Sequence, residues 1–576
     1  MFRKLYNDIT RKFDNEKGEN MHINSTRLHV TKQTGKGLII SIFCFFFLLN
    51  VLTSGGHLDW WDGIEAFLVT ESMVLRHSAK LHPDVPTLEK MPFDVAYSVY
   101  SNKVIQTGNN SLSKETITLE PVYTVRSLFL SAIGVPFYHL ALSISAPPIA
   151  VIGLLVNSML IALTCVVIFC FSQDVYGKKW ISFALSLIFG VCSFVWPYHT
   201  SFWVQPLQGL TLISGIYFLY KSIQYHRTFE NLQQRQLSVM QPIRNKSTYF
   251  SILGGLFLGL SIFAHPTSII LIPGFIIYII LSLRQQGKST IIVFLTTLFV
   301  TSFFVGLDNF LRFGSFTEFG YGYFATFETH NGWAGLIGLL FSPGAGLVFF
   351  FPISVLTILG AKYMYSKNRG LLLICSYVII ANWLYVGTLS FGFEPFAWSG
   401  AIAWGPRYLI PVLPFIILIL GQLLQEITQM KDIRRRLIMK TSVITLAALG
   451  FYINLVGTLV WYQYGYMFGL DREQLSKFAN NMEIMTWHPY YSPIVLHSKA
   501  LASDYVSTID PEIYFNTSWY WTTYGLAPCS YDSYIFCEFG IVGLIVVSIP
   551  TIFIGFFILK EIQNQRSNEV LQKGVS

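Results

Sequence analysis

The chain has 576 residues; 53% are hydrophobic and 12% charged, with 39 Lys and Arg against 31 Asp and Glu for a formal net charge of +8. A soluble domain carries about 25% charged residues, so half that share leaves too little polarity to cover a water-facing surface of this size. An ordinary cytosolic enzyme, a disordered chain and a fibrous repeat are excluded, and a polytopic membrane protein remains.

In chain order, residues 1–36 form a polar, basic tail (Arg3, Lys4, Arg11, Lys12, Lys17, Arg27, Lys32, Lys36) without the apolar region of a signal peptide, so the first span is expected to be a signal anchor. Twelve apolar runs reach the length that crosses a bilayer as a helix: 37–54, 149–171, 180–198, 206–222, 248–264, 267–283, 289–307, 343–360, 371–388, 408–425, 441–461 and 539–559. Alternating sides from a cytosolic N-terminus places about 28 of the 39 Lys and Arg in the inner loops and tails. Both termini are then expected on the cytosolic side of the cell membrane, or of the endoplasmic reticulum membrane in a eukaryote. The apolar stretch 126–145 is read as lying along the outer interface, because counting it as a span would put Lys178, Lys179 and the basic loop 223–247 outside.

The positive charge does not point to nucleic acid. It sits in short clusters between apolar runs, such as Lys431, Arg434, Arg435, Arg436 and Lys440, as membrane topology requires. The expected organisation is a basic tail 1–36, a membrane core 37–461 with outer loops 55–148 and 308–340, an aromatic-rich outer loop 462–538, and a last span with a cytosolic tail over 539–576. Cys44, Cys165, Cys170, Cys192 and Cys375 fall in apolar runs as core fillers. Cys529 and Cys537 fall in the outer loop, where a disulfide is open. The sequons at Asn109 and Asn516 also fall outside, and a further one at Asn245 falls inside.

The first outer loop opens with His57-Leu58-Asp59-Trp60-Trp61-Asp62-Gly63-Ile64-Glu65 and continues with apolar residues at helical spacing (Ile64, Phe67, Leu68, Val74, Leu75), which predicts a short interfacial helix. Asp59, Asp62 and Glu65 stand at its start, where the helix dipole favours anions. One of them can serve as a general base facing a lipid-borne substrate. Asp62 followed by Glu65 is equally a capping-box pattern, and Trp60 and Trp61 equally an interfacial aromatic belt. Further on, Ala264-His265-Pro266 joins two spans, and a lone His there is commonly a satisfied helix-end residue. Asp308 to Ser315 and Phe341-Ser342-Pro343-Gly344 mark broken backbone tolerated only beside protein or a cavity. Trp404-Gly405-Pro406-Arg407-Tyr408 sets an Arg at the mouth of an apolar span, where it snorkels or meets an anion such as a phosphate. No HExxH, CxxC pair, spaced His cluster, P-loop or dinucleotide fingerprint occurs.

Together these segments resemble the GT-C superfamily of polyprenyl-phosphate-sugar glycosyltransferases, most of all prokaryotic relatives of the dolichyl-phosphate-mannose–protein mannosyltransferases. The resemblance runs from about residue 57 to residue 420. It rests on Asp62-Gly63 with Thr70-Glu71-Ser72, on Tyr123 to Tyr138, and on Phe194-Val195-Trp196-Pro197-Tyr198. Its most specific elements are Leu311-Arg312-Phe313-Gly314, Phe341-Ser342-Pro343-Gly344 and Trp404-Gly405-Pro406-Arg407-Tyr408. The Trp60-Trp61-Asp62 triplet is also similar to a signature of oligosaccharyltransferases, but that signature belongs in a C-terminal soluble domain and this triplet follows the first span.

The resemblance implies an all-α polytopic fold of about twelve transmembrane helices, and transfer of a sugar from a polyprenyl- or dolichyl-phosphate donor to a protein, lipid or glycan acceptor on the extracytosolic face, with inversion. Asp62 would be the general base, with Glu65 in support. Arg407, Tyr408, Arg312, Asp59 and His265 would bind substrate, and no metal or cofactor beyond the donor lipid is expected. Two departures stand out: relatives often carry a basic residue where this chain has Ala345, and an Arg where it has His265. A transporter or flippase of polyprenyl-linked lipids is the competing reading. Transporters typically show internal repeats and broken helices at the midplane, and no convincing repeat is visible here.

Overall fold

The computed structural model describes residues 35–58, 60–89, 121–234, 240–283, 287–320, 325–326, 332–388, 390–391, 397–400, 403–460, 482–502 and 533–574. Asp59, the tail 1–34, Cys529, the sequons at Asn109 and Asn516 and most of 462–538 lie outside these residues.

The described chain is helical apart from one antiparallel pair of two-residue strands, Ala325–Thr326 with Ser390–Phe391, and an isolated bridge between Leu81 and Val122. In order come α1 (Lys36–Thr53), α2 (Trp60–Leu75), α3 (Leu128–Ser143), α4 (Pro148–Tyr176), α5 (Lys179–Cys192), α6 (Val204–Gln234), α7 (Met240–Ala264), α8 (Ile272–Leu283) and α9 (Lys288–Phe313). They are followed by α10 (Gly332–Phe341), α11 (Thr357–Lys367), α12 (Arg369–Gly387), α13 (Leu413–Gln429), α14 (Ile433–Leu459) and α15 (Tyr534–Gly574), the last interrupted at Gly540. Local chemistry sets several ends. Pro148 opens α4 and left-handed Gly177 (φ 70°) closes it. The Asp432 carboxylate caps α14 by accepting from the N–H groups of Arg434 (2.9 Å) and Arg435 (3.3 Å).

Among the described residues, nine helical segments are long and apolar enough to cross a membrane: Lys36–Thr53, Pro148–Tyr176, Arg244–Ala264, Pro266–Leu283, Lys288–Phe313, Arg369–Gly387, Arg407–Gln429, Ile433–Leu459 and Tyr534–Asn564. The chain is an all-α, multi-pass membrane protein. Two of the twelve expected runs are broken, and a third is part of a longer helix. Run 180–198 becomes the 14-residue α5, a break at Ser193 and a 3-10 helix, Trp196–Thr200. Run 206–222 sits inside the 31-residue α6, whose first turns bury the polar Gln205 and Gln208. Run 343–360 is cut by Pro343, Gly344, Gly346 and Pro352 into Leu347–Phe350, a 3-10 turn and α11. Such breaks survive because Phe350, Phe351, Pro352 and Ile353 are packed against protein rather than lipid. Span Arg407–Gln429 is 89% buried and Tyr534–Asn564 only 11%, so the first is the central post of the bundle and the second its periphery. Cys537, near the start of α15, is disulfide-bonded, and the other five described cysteines are free.

Two short helices in the expected first loop are knotted to each other. Thr70 and Ser131 both donate to the Ala66 carbonyl at 2.9 Å. A Cβ on Gly134 would meet Thr70 Oγ1 at 2.9 Å, so α2 and α3 cross where only glycine fits. Beneath the crossing, the buried Glu71 accepts from Tyr138 Oη (3.0 Å), Thr87 Oγ1 (3.0 Å) and Thr87 N–H (3.2 Å). Three donors converging on one buried carboxylate make it a structural pin. Glu71→Ala leaves those donors unmatched and is expected to cost about 3 kcal/mol. The check is a drop in thermal midpoint in detergent, and an unchanged midpoint would remove this role.

Candidate active site

Asp62 and Glu65 stand one turn apart at the start of α2, so their carboxylates share a face. That turn is seated tightly: a Cβ on Gly63 would lie 3.3 Å from Ser201 Oγ and 3.4 Å from the Phe202 carbonyl oxygen. The segment just before α3 supplies their counter-charge. Arg126 Nη2 is 2.6 Å from Asp62 Oδ1, and its Nε donates to Glu65 Oε2 at 2.9 Å. The second oxygen of Asp62, Oδ2, faces Arg407 Nη1 at 3.6 Å. Two guanidiniums therefore bracket one carboxylate.

Arg407 begins a 3-10 helix, Arg407–Val412, that leads into α13. The turn ahead of it is fixed by Gly405 (φ 65°) and by Trp404, whose Nε1 donates to Asn454 Oδ1 (3.1 Å) and whose carbonyl accepts from Tyr198 Oη (3.0 Å). Gly400 (φ 85°) lies against the aliphatic stem, where a Cβ would be 2.7 Å from Arg407 Cγ. The guanidinium lies over the rings of Trp203 (5.1 Å) and Tyr408 (4.9 Å), and its Nη2 donates to Tyr408 Oη at 3.0 Å. Arg407 is 5% exposed, yet its Nε and Nη1 have no hydrogen-bond partner among the described residues. A buried guanidinium held by two rings and one hydroxyl, with Nε free of hydrogen bonds and Nη1 facing a carboxylate at 3.6 Å, has the chemistry to receive a further anion.

His265 closes the side of the site, in the joint between spans Arg244–Ala264 and Pro266–Leu283. Its Nδ1 accepts from Thr267 N–H at 3.4 Å. Surrounding protein, then the guanidinium of Arg126, and to a lesser degree that of Arg407, lower its pKa from 6.5 to about 4, against an opposing pull from Asp62. The imidazole is therefore neutral at neutral pH, suited to hydrogen bonding rather than to charge pairing with a phosphate. Because the unfolded chain takes up this proton first, stability falls as pH drops from 6.5 toward 4. Wild type should lose thermal midpoint across that window and His265→Asn should lose less; parallel curves would refute the assignment.

The structure thus brings together Asp62, Glu65, Arg407, Tyr408 and His265, and adds Arg126 and Trp203, which sequence reasoning did not single out. Arg312 joins at one remove: its Nη1 is 3.1 Å from Asp308 Oδ2, and its Nη2 donates to the carbonyls of Thr124 and Arg126. Asp59 lies outside the described residues. Ala345 is buried in the turn after α10 with its N–H donating to Ser342 Oγ. Among the described residues no group of three or more His, Cys, Asp or Glu is placed to hold a metal ion.

No protein-family model matches the chain, and no curated protein matches its sequence. Among solved structures it is similar to the oligosaccharyltransferase AglB of Archaeoglobus fulgidus in complex with an inhibitory peptide and a dolichol-phosphate, at 10% identity and a TM-score of 0.42, covering 79% of this chain and 60% of that one. An apo form of the Archaeoglobus fulgidus oligosaccharyltransferase matches at 10% identity and a TM-score of 0.37, over 76% of this chain and 61% of that one. ArnT of Cupriavidus metallidurans bound to undecaprenyl phosphate matches at 11% identity and a TM-score of 0.35, over 80% of this chain and 76% of that one. The chain thus spans less than two thirds of the oligosaccharyltransferase chains it matches.

Proposed function

We propose that the chain is a membrane glycosyltransferase that moves a sugar from a polyprenyl-phosphate carrier to a hydroxyl-bearing acceptor at the extracytosolic face, with inversion and with Asp62 as general base. The observation that carries this reading is Arg407: a guanidinium 5% exposed, with no hydrogen-bond partner at Nε among the described residues and only the Asp62 carboxylate, 3.6 Å away, facing Nη1. A buried donor left without a partner costs about 1–3 kcal/mol, and a phosphate oxygen would satisfy Nε and strengthen the contacts of Nη1.

In the proposed step the acceptor O–H gives its proton to Asp62 and its oxygen bonds to the anomeric carbon. The bond from that carbon to the phosphate oxygen breaks, leaving the lipid phosphate with one more negative charge, stabilised by Arg407. Arg126 keeps Asp62 and Glu65 in place, and His265 and Tyr408 present neutral hydrogen-bonding groups at the rim. A single displacement of this kind inverts the anomeric centre.

The test is a transfer assay on the full chain in lipid nanodiscs, with a panel of polyprenyl-phosphate sugars and hydroxyl acceptors, read as release of lipid phosphate. Turnover that saturates with donor, together with binding of polyprenyl phosphate that weakens in Arg407→Ala, is expected. Movement of intact donor across proteoliposomes without product would replace this reading with that of a flippase.

A further inference from the structure

We propose that Arg312 is a positioning residue that acts through Arg126 and does not contact the donor. This rests on the reading of Asp62 as the base. Arg312 lies in the last turn of α9, just before left-handed Gly314 ends that helix (φ 78°), and only 6% of its side chain is exposed. Asp308, four residues back on the same helix, holds Nη1 at 3.1 Å, and the guanidinium lies 4.7 Å from the Phe313 ring. Its Nη2 donates to the backbone carbonyls of Thr124 and Arg126, the latter at 3.0 Å.

Both terminal nitrogens thus face protein oxygens, and the held backbone is the one that carries Arg126. The same segment is tied elsewhere: Arg126 N–H donates to Thr124 Oγ1 (3.2 Å), and Ser127 Oγ donates to the Phe263 carbonyl (2.7 Å), two residues before His265. Arg126 then reaches Asp62 at 2.6 Å and Glu65 at 2.9 Å. A continuous frame runs from Asp308 through Arg312 and two peptide carbonyls to the guanidinium that orients the base. Since a misplacement of about 1 Å can cost about 10²-fold in rate, removing the clamp acts on the chemical step and leaves the donor's own contacts alone.

Arg312→Ala is expected to lower kcat by about 10²-fold with donor and acceptor KM within about twofold. Arg312→Lys, which donates from a single point, should restore only part of it. In an Arg126→Ala background, Arg312→Ala should cost nothing further, because the route from Arg312 to the base is already cut. A rise in donor KM that accounts for the loss, or a full additional loss in the double variant, would mean that Arg312 touches substrate and would overturn the proposal. A second readout needs no turnover: hydrogen exchange of the backbone over 121–127 should quicken in Arg312→Ala, and unchanged exchange there also overturns it. Should Arg312→Ala fail to fold, Asp308→Asn carries the same split at smaller amplitude. If Asp62→Asn keeps full transfer, the base assignment fails while the exchange result still decides the clamp.

Discussion

Asp62→Asn is expected to slow transfer by about 10²- to 10⁴-fold while donor KM stays nearly unchanged. The amide matches the carboxylate in size but takes no proton from the acceptor. It also removes the charge that Arg126 and Arg407 share at 2.6 and 3.6 Å. Losing that competitor leaves Arg407 more available to a phosphate, so binding of polyprenyl phosphate should hold or tighten as turnover collapses. Opposite movement of binding and rate separates a lost base from a collapsed site. A folded Asp62→Asn protein with normal rates would remove Asp62 from the chemistry.

Arg407→Ala is expected to reduce kcat/KM by about 10²- to 10³-fold through loss of charge stabilisation on the leaving phosphate. Because it also empties the space against Gly400 and above Trp203, Arg407→Lys is the cleaner comparison. Lysine keeps the charge but loses the planar fork and most of the stacking on Trp203 and Tyr408. Its donor KM should rise and its kcat fall, with the thermal midpoint close to wild type. Unaltered kcat/KM in both variants would take the donor phosphate away from Arg407.

Much of the bundle was legible because spans in lipid announce themselves by continuous apolar length. The expectation of an unbroken helix failed at 180–198 and 343–360, where hydropathy does not tell a lipid-facing helix from broken chain enclosed by neighbours, while 206–222 is helical throughout. At the site, Asp62 and Arg407 stood out through motif resemblance, since nothing in the local sequence of either foretells a distance of 3.6 Å between them. Arg126 was passed over for a physical reason. A single Arg ahead of an apolar helix looks like the flank of any span, and its partnership with Asp62 and Glu65 exists only once α3 has folded back on α2. Arg312 was visible in its motif, and its pair with Asp308 fits helical spacing, but the bonds of its Nη2 run to backbone carbonyls, which no side-chain pattern encodes.

Asp62 and Glu65 against Arg126 and Arg407 make a quartet of zero net charge. A phosphodiester donor entering it brings the sum to −1. In the proposed step the departing phosphate gains a negative charge just as Asp62 gains a proton, so the sum is still −1 afterwards. Charge is rearranged over a few ångströms and none is carried across the bilayer. A membrane voltage does work only on displaced charge, about 2.3 kcal/mol per elementary charge for a full crossing at 100 mV. Electroneutral chemistry of this kind gives an energised membrane almost no lever on the bond-breaking step, and leaves any voltage sensitivity to the arrival and departure of the charged lipid.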